Sequence, residues 1–116
     1  MNIRVQFAGL LFSFLFAFST IQAAENDFDK VCDYFKELAK KSNVNSMTHL
    51  QRNNYILERI NKNLPTTSNA RVAWEAVSNA ESDQRYELFK SSAELVLNSR
   101  WKCKAMAELA NKTGEF

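Results

Sequence analysis

The chain has 116 residues, with 15 Lys and Arg against 13 Asp and Glu, a single histidine, two cysteines, two glycines and one proline. A net charge of +2 gives no electrostatic footprint for nucleic acid. So little glycine and proline argues against a turn-rich β architecture and suits helices joined by polar turns.

Residues 1–23 read as a secretory signal peptide rather than as part of the fold. Arg4 marks a short basic start, a nearly unbroken apolar run follows from Val5 to Phe18, and Ala23 and Ala24 supply small residues for cleavage after either one. The apolar run is short for a bilayer span, which needs about 20 residues. No cysteine follows at once, so a lipoprotein anchor is not expected. Arg4 is the leader's only charged residue, so 14 basic residues remain against 13 acidic ones. Residues 24–116 are expected to form one domain, periplasmic or secreted and soluble, with no membrane association after cleavage. They suffice for one modest core.

Export makes the cysteines informative. Cys32 and Cys103 are the only pair, and in an oxidising compartment a pair is most simply a disulfide. A redox dithiol would favour a close Cys-x-x-Cys instead. A bridge over some seventy residues restricts the unfolded chain by ~4 kcal/mol in the loop-entropy account.

The first helix is expected from Asn26 or Asp27 to Lys41, with Phe28, Val31, Cys32, Phe35, Leu38 and Ala39 at three- and four-residue steps. The second runs from about Ser46 to Asn63, capped by Asn45 or Ser46. Its apolar positions are Met47, Leu50, Ile56, Leu57, Ile60 and Leu64, with Arg52, Glu58, Arg59 and Lys62 on the wet side. Pro65 ends it. The third spans about Asn69 to Asn79, with Ala70, Ala73, Trp74 and Val77 on one face.

The fourth begins near Ser82. Tyr86, Phe89, Ala93 and Val96 make its stripe, and Leu88, Leu95 and Leu97 broaden it. Asn98-Ser99 either breaks it, with Ser99 capping a fifth helix from Arg100 or Trp101 to Ala110, or is passed through by one continuous helix. Lys112 to Phe116 reads as a frayed end. The stretch Asp83–Ala110, rich in large apolar side chains, is expected to organise the rest. The fold class is therefore all-α, four or five short helices in one small bundle with one disulfide.

No catalytic set emerges. His49 has no histidine or cysteine at ligand spacing, so neither a metal site nor a cofactor is expected. The Gly-rich phosphate loop, Gly-x-Ser-x-Gly and His-Glu-x-x-His patterns are missing from the sequence. Arg100, Trp101, Lys102 and Lys104 surround Cys103 and form a candidate interaction patch, with the indole as anchor. The plainer reading is that Trp101 covers the disulfide while the basic residues meet solvent or acids such as Asp29 and Asp33.

Arg85-Tyr86-x-x-x-Lys90-x-x-Ala93, followed by Trp101-x-Cys103-x-Ala105-Met106-x-x-Leu109, resembles the C-terminal pattern of small exported bacterial proteins that carry no assigned activity. Such proteins usually have glycine in the turn before the tryptophan, where Val96 to Ser99 has none, and often proline after the cysteine, where Lys104 stands here. The resemblance implies a small helical domain and supplies no activity. The expected function is a non-enzymatic interaction protein of binding, inhibitor or immunity type with a protein partner. The alternative is a periplasmic acid or stress chaperone of the small single-disulfide kind.

Overall fold

The structure, a computed structural model, describes residues 26–113; the leader assigned to residues 1–23 and the segment after Thr113 lie outside them. Among the described residues there are five α-helices and no strand: α1 (Asp27–Ala39), α2 (His49–Asn63), α3 (Asn69–Val77), α4 (Arg85–Leu97) and α5 (Lys104–Thr113). The all-α class with one disulfide holds.

Helix α1 starts where its cap lies. Asn26 is extended, and its side-chain oxygen accepts from the Asp29 N–H at 2.8 Å while its amide donates to Asp29 Oδ2 at 2.9 Å. Asp27 and Asp29 lie in the first turn, where negative charge suits the helix dipole. Phe28, Val31, Cys32, Phe35 and Leu38 are buried along the face their spacing predicts. This helix, rather than the 83–110 stretch, is the centre of the bundle, since it packs on α2, α3 and α5.

Helix α2 begins three residues later than the sequence reading has it. Val44–Ser46 forms a 3₁₀ turn, and Thr48 is the cap. The Gln51 N–H donates to Thr48 Oγ1 at 3.1 Å and the Thr48 N–H donates back to Gln51 Oε1 at 2.8 Å, a reciprocal capping box. Two of the helix's residues depart from their expected sides. Leu50 is exposed, whereas Arg52 is only 3% exposed. The Arg52 guanidinium donates from Nη2 (2.6 Å) and Nε (3.2 Å) to the Val44 carbonyl, which the preceding turn buries. A long side chain that satisfies a buried carbonyl overrides the periodicity of the helix. Leu64 is extended ahead of Pro65, as a residue before proline requires.

Ser68 caps α3, accepting from the Arg71 N–H at 3.3 Å, and α3 buries Ala70, Trp74 and Val77. It ends at Val77, two residues before the expected Asn79. A second 3₁₀ turn, Ser82–Gln84, leads into α4, which buries Phe89 and Ala93. Val96, expected in the stripe, is exposed near the helix end, and Leu95 beside it and Leu88 in the first turn are exposed too.

Helix α4 breaks at Asn98, which takes the left-handed conformation with φ 52°. The break falls where Asn98-Ser99 allows it, but α5 does not follow at once. Trp101 and Cys103 are buried while Arg100, Lys102 and Lys104 are exposed. That alternation has the period of an extended chain, not of a helix. Helix α5 therefore starts at Lys104 rather than at Arg100 or Trp101, and Ser99 does not cap it. It buries Ala105, Met106 and Leu109 and continues past Ala110 to Thr113.

The core is a chain of rings. Phe35 packs edge-on to Trp74 (5.3 Å between centroids), Trp74 to Phe89 (5.8 Å) and Phe89 to Trp101 (5.6 Å), while Phe28 meets Phe89 at a tilt (5.4 Å). Edge-to-face packing of this kind adds to simple burial. Through it α1, α3, α4 and the segment before α5 share one interior.

Candidate functional site

The segment from Asn98 to Cys103, termed the connector, is fixed from several directions. Cys103 bonds to Cys32 of α1, with Cα atoms 5.7 Å apart, well inside the range a disulfide spans. The Cys103 N–H donates to the Tyr86 hydroxyl of α4 at 3.3 Å. The Trp101 backbone N–H donates to Glu94 Oε2 at 3.2 Å, and the Trp101 indole Nε1–H donates to Asp29 Oδ1 at 2.9 Å. The indole is only 7% exposed and packs on Phe28 and Phe89.

Trp101 therefore contributes mainly to the core, not as a projecting anchor. Of the acids expected to meet the basic cluster, Asp29 reaches it through the indole rather than through a cation, and Asp33 pairs with Lys36 on its own helix at 3.4 Å.

Between α4 and the connector lies an open groove of about 380 Å³, lined by Lys90, Glu94, Arg100, Trp101 and Lys102. Three of the four expected patch residues are thus brought together. Lys104 is not among them: it stands at the start of α5, 86% exposed, 3.8 Å from Glu108. Lys90 donates to Glu94 Oε1 at 3.1 Å. The Trp101 backbone N–H, then the Lys90 ammonium, hold the Glu94 carboxyl below the usual carboxylate range. Glu94 is not among the residues the sequence singles out. Its signal was the Lys90–Glu94 spacing of four, which places the pair on one helix face.

A second hollow, of about 260 Å³, is lined by Tyr34, Glu37, Glu58, Arg59, Lys62 and Asn63. Here charges answer one another. Arg59 Nε donates to Glu37 Oε2 at 2.9 Å, and its guanidinium lies 3.4 Å above the Tyr55 ring. Burial raises the Tyr34 hydroxyl above its ordinary value, although a bond with Asn63 opposes this. His49 is half-buried at the seam of α2 and α4, its Nε2 2.6 Å from Arg85 Nη1. Among the described residues no group of three or more His, Cys, Asp or Glu side chains stands where it could hold a metal ion. No helix there is long and apolar enough to cross a membrane.

Compared with known protein families, curated proteins and solved structures, the chain matches none.

Proposed function

We propose that this chain is a small exported interaction protein of the binding, inhibitor or immunity kind, not an enzyme, and that its working surface is the outward side of α4. The observation that carries this is the placing of α4's leucines. Leu95 is 84% exposed and Leu88 44% exposed, on the helix whose other side buries Phe89 and Ala93. Seven residues apart, they lie on one face of the helix. Single exposed apolar residues are ordinary on a protein surface, so it is the alignment of these two on one face of a fixed helix that supports a macromolecular partner. Export and a structural disulfide suit such a module.

The test is capture from periplasmic extract, under ordinary growth and under acid, oxidative and competition conditions. The chain is expected to retain a stoichiometric partner that the variant Leu88→Asp with Leu95→Asp loses. Recovery of no partner, or of one that the variant retains equally, would overturn the reading.

A second reading, an acid-protection chaperone, draws support from the two carboxylates that hold the connector over apolar rings. Protonating Glu94 weakens the bond from the Trp101 backbone N–H, and release of the connector bares Phe28 and Phe89. Acid-loosened states with exposed apolar surface bind other unfolded chains. Client-aggregation assays at about pH 2–3 and about pH 7 test it, since acid loosening is expected only in the first. Absence of protection at the lower pH excludes it.

A further inference from the structure

Resting on the interaction reading, we infer that the groove between α4 and the connector takes an acidic, extended segment of a partner protein, its carboxylates gripped by Arg100 and Lys102. Lys90 is neutralised by Glu94, and Glu94 is further occupied by the Trp101 N–H. Neither Arg100 nor Lys102 is within ion-pair distance of a described carboxylate, although the Arg100 charge adds to those that lower the Glu94 carboxyl. The groove is therefore cationic on a chain that is otherwise close to neutral. Net near-neutrality disfavours a nucleic acid, while a local cationic hollow of about 380 Å³ has room for one or two side chains.

The two cations are held in register. Trp101, the residue between them, is buried and bonded through both its backbone and its indole N–H, so the chain on either side has little freedom. Such preorganisation lowers the ordering cost of binding. Arg100 and Lys102 leave the connector on the same side, roughly 7 Å apart along an extended stretch. Carboxylates two residues apart on an extended partner have the same spacing. A guanidinium grips a carboxylate with two parallel bonds, and Lys102 supplies a point charge to the second. Lys90 and the buried Trp101 line the groove where the intervening partner residue would lie.

The test uses the oxidised mature chain, labelled with ¹⁵N, and three probes: a Glu-Ser-Glu peptide, its Lys-Ser-Lys counterpart, and vesicles containing phosphatidylglycerol. The backbone and indole N–H signals of Trp101 report directly on the groove. The acidic peptide is expected to shift both signals saturably, with affinity falling about tenfold or more on raising salt from about 20 mM to about 0.5 M. Arg100→Glu with Lys102→Glu, and the milder Arg100→Gln with Lys102→Gln, are expected to abolish or weaken the response. Shifts from neither peptide, equal shifts from both, or a response to vesicles in place of the acidic peptide would overturn the inference. The Gln pair in the capture experiment separates this failure from failure of the interaction reading. If the acidic peptide leaves Trp101 unmoved while the Gln pair still retains the partner, the groove is wrong and the interaction reading stands. If no variant and no wild-type chain retains a partner, both fall.

Discussion

Trp101 joins the core to the surface. Its ring fills the space beside Phe28 and Phe89, and its two N–H groups meet carboxylates from two different helices. Asp29 has three tasks at once, as it places charge in the first turn of α1, accepts from Asn26 and accepts from the indole. Asp29→Ala is expected to cost about 1–3 kcal/mol in urea unfolding, chiefly from an indole N–H left without an acceptor. A loss within the error of the wild type would mean that water serves the indole equally well. Glu94 gives a pH dependence whose sign is fixed. Its native carboxyl titrates below the ordinary value, so the stability it lends is complete above the unfolded glutamate value, about 4.3, and disappears as pH falls through the lower native value. Glu94→Gln is therefore expected to be less stable than wild type at about pH 7, with the gap closing below about pH 4. A gap that stays constant down to about pH 2.5 would contradict this account of the connector.

The helices begin and end where side chains answer the backbone, and this governs how far each was legible. The stripe of α1 and the caps Asn26 and Ser68 are local features, and the sequence reading finds both elements to within two residues. The start of α2 was equally local, since Thr48 and Gln51 stand at capping-box spacing, yet Asn45 and Ser46 offered competing oxygens. Thr48→Ala is expected to destabilise by about 1 kcal/mol, read from the shift in urea midpoint with unchanged slope. Asn98 is the break residue because it tolerates positive φ. Asn98→Val is expected to destabilise by about 1–2 kcal/mol while Asn98→Gly is neutral or slightly stabilising, both measured the same way. Equal effects of the two would show that the left-handed turn is not held in solution. What was not legible was non-local. Arg52 turns inward because of a carbonyl eight residues back, and Leu88 and Leu95 point outward because α3 and α5 already occupy the other sides of α4. The connector is an intermediate case, for its alternating basic and apolar residues carry the period of an extended chain, but they sit between two helices.

Across the molecule, the disulfide joins the first helix to the last segment and encloses most of the folded chain. Both sulfurs are buried, which makes the bond a staple rather than an accessible redox centre. Cys32→Ser with Cys103→Ser is expected to lose about 2–5 kcal/mol of stability. The oxidised protein is expected to show no free thiol on denaturing titration. The bridge was legible from the expected export and the cysteine count alone. The groove it helps to shape was legible only in part, because an extended connector, and not a helix from Arg100 or Trp101, sets Arg100 and Lys102 beside Lys90 and Glu94. The central claim is that a partner sits on the exposed surfaces of α4 and its connector, the leucine face at Leu88 and Leu95 and the groove that lies roughly a third of a turn round the helix from it. Site-specific photo-crosslinking in living cells tests it most directly, with the reactive side chain placed at Leu95, at Lys102 and, in the last turn of α2 away from its seam with α4, at Asn61. The account predicts one discrete adduct from positions 95 and 102 and none from 61. Silence at 95 and 102 in every condition, or an equal adduct at 61, would contradict it.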